Sequence, residues 1–366
     1  MPAPSAAVVR SVTSTAPVYD LRESDADGVR ELFRAYGHRD YQLHLLGITK
    51  DAMVGFLWDA LAEAPEYSFV LKERGRITGL FSLSYQRWLS KRLGTRTWSV
   101  RHLVLSPDVS PSSVQRLLSV GLDSISCLAD FVYGRAASSD IPVIVGLQGV
   151  GFETVGGEIC GVLAPGGAPT EQPQPDGLRF VKARTEKLDE VARIARQSHD
   201  INHFAYDPRF PAERVAALYE GVVRFDAADQ NGSMMVAEKD GAVVGFHTYR
   251  RNRRLECYVA PGLYSLNYIG VDPEARLRGL GEMLTWKVLE ELAQSGARGI
   301  TVRTMLSNYR ALATLRKVGA RIASANLVFH RWLPPADGPR GARWVDELDS
   351  GSCYSASSLR TLWRSR

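Results

Sequence analysis

Residues 264–285 read YSLNYIGVDPEARLRGLGEMLT. Positions 264–271 have the apolar, β-branched and aromatic make-up of a strand, and Asp272-Pro273 is a tight turn. The loop Arg276-Leu277-Arg278-Gly279-Leu280-Gly281 follows, and an amphipathic helix begins near Leu280. Its glycines let main-chain N–H groups approach an anion, and the helix N-terminus adds partial positive charge. Arg276 and Arg278 supply full charge. The arrangement suits a pyrophosphate. It has neither the Gly-Lys-Ser/Thr of a Walker loop nor the G-x-G-x-x-G of a dinucleotide fingerprint.

Downstream, a helix over 283–295 leads to a strand over 299–304 and then to SNYRALATLRKVGARI. Taken in order, these pieces resemble the Gcn5-related N-acetyltransferases. The loop is similar to the family's acetyl-CoA motif, Arg/Gln-x-x-Gly-x-Gly/Ala after a strand ending in Val-x-Pro. Asn308, Ala311 and Gly319 match its Asn-x-x-Ala helix and the glycine beyond it. The resemblance covers about residues 235–333 and implies an α/β (α+β) fold, a mixed, mostly antiparallel central sheet flanked by helices. It also implies that Arg276, Leu277, Arg278, Gly279, Leu280 and Gly281, with Asn308 and Ala311, hold acetyl-CoA or another acyl-CoA as co-substrate, with no metal. Main-chain groups near Ile269 and Val271 are then expected to polarise the thioester between two splayed strands.

Outward from this unit the order of elements repeats. LRFVKARTEKLDEVARIARQ is a strand and a helix, as is VYDLRESDADGVRELFRAYG near the start, where Ser24 or Asp25 stands at the N-cap position. Hairpins turn at Asp240-Gly241 and at Arg74-Gly75. Gly241 lies 166 residues after Gly75, Pro273 lies 166 after Pro107, and Gly319 lies 168 after Gly151. Two copies of one unit of about 150 residues follow from these offsets. The division expected is an extension over 1–17, a first copy over 18–164, a linker over 165–177 rich in proline and glycine, a second copy over 178–334 and a tail over 335–366. In the first copy, helices are expected over 51–62, 112–129 and 140–150, and a pair of short strands over 151–163. The offset of 166 puts Ser110, Ser113 and Gln115 where the loop has Arg276, Gly279 and Gly281, so the first copy is expected to bind no cofactor.

The chain has 366 residues, a formal net charge of +5 and 45% hydrophobic residues, enough for a large core and mildly favourable to anionic partners. Cys127, Cys160, Cys257 and Cys353 show no metal-binding or disulfide spacing. Buried thiols in a cytoplasmic protein without membrane segments are the expectation.

The mechanism that the resemblance implies is direct attack of an amine on the thioester, with a general base and a general acid. The family's usual tyrosine acid falls at Leu315, which cannot donate a proton. For the base, His247 on the second hairpin strand, Glu256 in the polar stretch after it, and Asn267 are candidates. Strand alternation puts Asn267 on one face with Ile269 and Val271. The segment 199–221, HDINHFAYDPRFPAERVAALYEG, is similar to that of sugar-nucleotide N-acetyltransferases acting on the 4-amino group of TDP-fucosamine. His203 is then a base, and Asn202, Phe204, Tyr206, Asp207 and Phe210 shape an acceptor pocket; otherwise these aromatics plug the core. The acceptor expected is a primary amine of a small polar metabolite such as an amino sugar. Aminoacyl-tRNA is the alternative donor, because tandem units of this fold are known to use it and the basic charge is compatible. Oligomeric state is not legible.

Overall fold

The computed structural model describes residues 16–165, 175–183, 185–198, 200–275 and 279–334. In the first copy, β1 (Val18–Asp20), α1 (Ala26–Ala35), α2 (Asp40–Leu46) and α3 (Lys50–Ala62) precede a hairpin of β2 (Ser68–Glu73) and β3 (Arg76–Tyr85). The chain continues through α4 (Arg87–Leu93), β4 (Thr97–Leu105), α5 (Pro111–Ser124), β5 (Phe131–Ala137), α6 (Ile141–Gly149) and β6 (Glu153–Leu163). The second copy runs β7 (Leu178–Ala183), α7 (Leu188–Gln197), α8 (Ala212–Ala228), β8 (Gly232–Lys239), β9 (Ala242–Arg251), β10 (Leu263–Val271), α9 (Leu280–Gln294), β11 (Gly299–Met305), α10 (Tyr309–Lys317) and β12 (Arg321–Trp332). Both hairpins turn through a non-glycine residue and a glycine at positive φ, Arg74 (50°) with Gly75 (77°) and Asp240 (52°) with Gly241 (86°). These are the dihedral signs that a two-residue hairpin loop requires.

All described strands join one twelve-stranded sheet in the order β1-β2-β3-β4-β5-β12-β6-β11-β10-β9-β8-β7. The copies exchange their last strands. β12 pairs antiparallel with β5 of the first copy, from Asn326↔Ala137 to Trp332↔Phe131. β6 pairs antiparallel with β11 of the second, from Ile300↔Leu163 to Met305↔Glu158. The core follows the exchange. Phe329 of β12 is fully buried with Phe81, Leu117 and Leu147 of the first copy, while Ile159 and Leu163 of β6 pack with Leu284, Val288 and Ile300 of the second. On the opposite face, α1 and α3 bury Val29 and Leu61 over β2 and β3, and α7 buries Ile194 against Phe246.

Several sequence expectations are corrected. Residues 153–163 form one long strand rather than two short ones, because both of its edges are paired. The helix expected over 112–129 ends at Ser124. Asp25 occupies the N-cap of α1 without capping it; its carboxylate accepts the Arg22 N–H (3.1 Å) and pairs with Lys72 (2.6 Å). Helices α2 and α4 carry no long periodic pattern in the sequence, although each ends on a left-handed glycine, Gly47 and Gly94. Cys127 and Cys257 are exposed, and Cys160 is buried. The linker at 166–174, the extension at 1–15, the tail at 335–366 and Cys353 lie outside the described residues. No described helix is long and apolar enough to cross a membrane.

Strand exchange makes the copies one folding unit. Phe329→Ala, a change in the second copy's last strand, is expected to cost about 3–5 kcal/mol and to destabilise the first copy equally. Denaturant unfolding followed by fluorescence and circular dichroism should show one shared, shifted transition; two separate transitions would contradict the exchange.

Candidate active site

β10 and β11 run parallel and paired only from Leu263↔Gly299 to Leu266↔Val302. Beyond that point β10 follows β9 and β11 follows β6, so the two strands fork. A bulge in β10 between Leu266 and Ile269 coincides with the fork. It breaks the alternation expected for Asn267, which does not share a face with Ile269 and Val271. Those two pack beside Leu280 and Leu284 of α9, whereas Asn267 Nδ2 donates to the Asp226 carboxylate of α8 (3.2 and 3.3 Å). Burial raises the pKa of Asp226 against hydrogen bonds from Thr248 and Asn267. Tyr268 turns to the same side, its hydroxyl donating to the Ser198 and Ala195 carbonyls at the end of α7. Asn267 lines a cavity of about 420 Å³ at the fork, together with Gln42, Cys160, Asn252, Thr301 and Arg303.

The α9 N-terminus stands at the far end of β10. Gly279 holds φ 81°, and among the described residues no side chain caps the helix. Among those residues nothing approaches the space in front of Gly279, and a Cβ on Gly281 would meet only Ile269 and Val271, at 3.7 and 4.0 Å. Arg276, Leu277 and Arg278 lie outside the described residues. Asn308 caps α10 by accepting the Ala311 N–H (3.1 Å). Leu315, at the tyrosine position, is buried in the α9–α10 core. The equivalent helix of the first copy is furnished differently. Pro111 starts α5, Ser110 Oγ accepts the Ser113 N–H (3.2 Å), and Ser113 Oγ donates to the Glu73 carboxylate (2.9 Å). The protein's own acceptors thus occupy a helix terminus that an anion would need.

The segment after α7 is a core plug. Phe204 and Phe210 are buried against Phe131 and Trp332, with the Phe131 and Phe210 rings 4.9 Å apart edge to face. Asn202 Oδ1 accepts the Phe204 and Ala205 N–H groups, closing a turn. Asp207 accepts from His330 Nδ1 (2.8 Å), Trp332 Nε1 (3.0 Å) and Arg209 Nε (2.7 Å). His330 Nε2 accepts from His203 Nδ1 (2.8 Å), which leaves His203 Nε2 to accept from Arg135 (3.5 Å). Every ring nitrogen in the chain Asp207–His330–His203–Arg135 is engaged. Burial, then the Arg135 charge, lowers the His203 pKa well below its ordinary value, so His203 is no free base. Asn202, Phe204, Asp207 and Phe210 line no cavity at the fork, and Tyr206 reaches out to Ser307.

His247 is fully enclosed opposite Met235 on the α9 face, and burial alone pushes its pKa down to about 4. Glu256 closes the β9–β10 connection, accepting from Gly262 N–H (2.7 Å), Leu263 N–H (3.1 Å) and Arg251 Nε (2.9 Å). Burial raises the Glu256 pKa, but these donors outweigh it and hold it low. Neither residue faces the fork.

Sequence reasoning missed the wall between the copies. A second cavity, about 340 Å³, lies between α1–α3 of the first copy and β10–β11 of the second. It shares Gln42, Asn252, Thr301 and Arg303 with the fork, so the two are continuous. At its floor Glu158 of β6 pairs with Arg135 of β5 (2.9 Å) and Arg303 of β11 (3.5 Å). These residues converge only through the strand exchange, and no spacing in the sequence announces it. Among the described residues no group of side chains could hold a metal ion.

His247 supplies a pH test. Its folded pKa of about 4 lies below its unfolded value near 6.5. Its neutral burial therefore stabilises fully above about pH 6.5 and progressively less as pH falls toward 4. The thermal midpoint should drop between pH 7 and 5 more steeply in wild type than in His247→Phe; equal slopes would contradict this.

Residues 195–320 match the profile of the Acetyltransferase (GNAT) family. A mycothiol acetyltransferase from Saccharomonospora viridis is 31% identical over 163 residues, 43% of this chain. The chain spans about half of that relative's length, 51%. A GCN5-related N-acetyltransferase from Sphaerobacter thermophilus superposes with a TM-score of 0.61 at 15% identity, over 89% of this chain and 98% of that one. A tandem GNAT protein from the clavulanic acid biosynthesis pathway superposes with a TM-score of 0.53 at 14% identity, over 88% and 99%. The second copy therefore carries the match to the acetyltransferase (GNAT) family, and the whole chain has the fold of a tandem GNAT protein.

Proposed function

We propose that the chain is an acyl-CoA-dependent N-acyltransferase, with acetyl-CoA as donor and a primary amine of a small polar metabolite, such as an amino sugar, as acceptor. The observation that carries this reading is the β10–β11 fork, which opens between an uncapped α9 N-terminus and the cavity between the copies. In this reading the N–H groups at Gly279–Gly281 bind the pyrophosphate and the fork takes the thioester arm. The main chain at the bulge faces the carbonyl. The amine reaches the fork through the space lined by Gln42, Asn252 and Thr301. Its nitrogen attacks the carbonyl carbon, a C–N bond forms, the C–S bond breaks and the thiol leaves.

Proton traffic in this scheme runs through water. His203 and Glu256 are engaged elsewhere, His247 is enclosed away from solvent, and burial keeps the Cys160 thiol protonated. Leu315 offers no proton to the departing thiolate, which takes one from solvent in the open fork. Asn267, held by Asp226, orients the groups at the fork rather than abstracting a proton.

Calorimetric titration of acetyl-CoA tests the assignment. Gly281→Phe directs a ring at the space beside Ile269 and Val271 and should weaken binding at least about tenfold, or 1.4 kcal/mol. Ser112→Phe, at the exposed equivalent helix start of the first copy, should leave affinity unchanged. Wild type that shows no saturable binding, or loss in Ser112→Phe instead, would contradict the reading.

A further inference from the structure

The cavity between the copies holds more positive charge than its surroundings balance. Lys50 is neutralised by Asp40, and Arg101 is tied to the Ala60 and Ala64 carbonyls. Arg135 and Arg303 share the single carboxylate of Glu158. Arg39 of the first copy also lines the cavity, and its guanidinium makes no hydrogen bond or ion pair among the described residues. The excess is felt by its neighbours. Burial, then Arg101 and Arg39, pushes His102 down to about 3. Burial likewise lowers the pKa of Arg303, with Arg135 and Arg39 adding to it against Glu158. Uncompensated like charges around a walled cavity attract an anion strongly, and guanidinium groups grip carboxylate and phosphate oxygens in pairs.

The cofactor's phosphates do not account for this charge. Their seat at the α9 N-terminus follows Val271, whereas the cavity meets β10 at Leu263 and Tyr264. At about 3.3 Å per residue, the strand separates these two ends by roughly 20 Å.

We propose that the acceptor carries an anionic group, a carboxylate or a phosphate, which sits between Arg39 of the first copy and Arg303 of the second and directs the amine to the fork. Glu158 holds Arg135 and Arg303 in place without neutralising both. The inference deepens the acyl-transfer reading and rests on it only in calling the ligand the acceptor.

The test uses the full chain with inorganic phosphate and acetate as probes, at matched ionic strength, with and without CoA filling the α9 seat. One or both ions should raise the thermal midpoint of wild type. In R39Q and R303Q the dissociation constant of that ion should rise about tenfold, while in R39Q, which lies away from the fork, acetyl-CoA affinity stays within about twofold. Response to phosphate alone identifies a phosphorylated acceptor, and response to acetate alone a carboxylate. The proposal is overturned if neither ion stabilises wild type, if binding survives both substitutions, or if acetyl-CoA affinity falls in R39Q. A wild type that binds phosphate through these arginines yet takes no acetyl-CoA would overturn acyl transfer and leave the anion site standing.

Discussion

The hydrogen bonds that tie β6 to β11 and β12 to β5 are the constraint on which the rest of the molecule depends. A strand inside a sheet must have both rows of main-chain groups paired. Withdrawing either exchanged strand would expose edges in both copies at once. The exchange also brings β5, β12, β6 and β11 side by side at the centre of the sheet. Arg135, Glu158 and Arg303 come from three of these strands and meet on one face. The floor of the cavity therefore belongs to neither copy alone.

On that shared frame the two copies diverge at one helix terminus each. In the second, Gly279 and Gly281 leave the start of α9 open and uncapped. In the first, Pro111 removes a donor, Ser110 takes another, and Glu73 puts a carboxylate beside Ser113. In the proposed reading the α9 terminus takes an anion, and the α5 terminus has an N–H group met by the chain's own oxygen. The first copy instead contributes α1–α3 as the far wall of the cavity, fixed to the second by the Tyr258 and Asp59 side chains and by the Phe56 ring edge-on to Tyr258. The first copy thus supplies a wall of the cavity that it shares with the second.

What the sequence made legible was local. The glycine hairpins, the α9 start and the strands on either side of it were readable because turn chemistry and periodicity act within a few residues. The sheet class came with the family resemblance that these pieces carry. The site was less legible, for three physical reasons. The bulge at Asn267 changes which way side chains point without changing composition. The aromatic segment after α7 looks like a ring-binding pocket, yet Phe204 and Phe210 fill the core against Phe131 and Trp332. Arg39, Glu158 and Arg303 stand far apart in the chain, and only strand exchange, a long-range pairing, makes them neighbours. The sequence offers His203 as a base, and its hydrogen bonds to His330 and Arg135 come from strands far away in the chain.

The central claim is that the donor binds at the fork of the second copy and nowhere in the first. Amide hydrogen exchange on the full chain, with and without acetyl-CoA, addresses it directly. Protection should appear over residues 266–284, from the bulge through the start of α9, and be absent over residues 100–118, the matching stretch of the first copy. Protection at 100–118, or at neither stretch, would contradict the account.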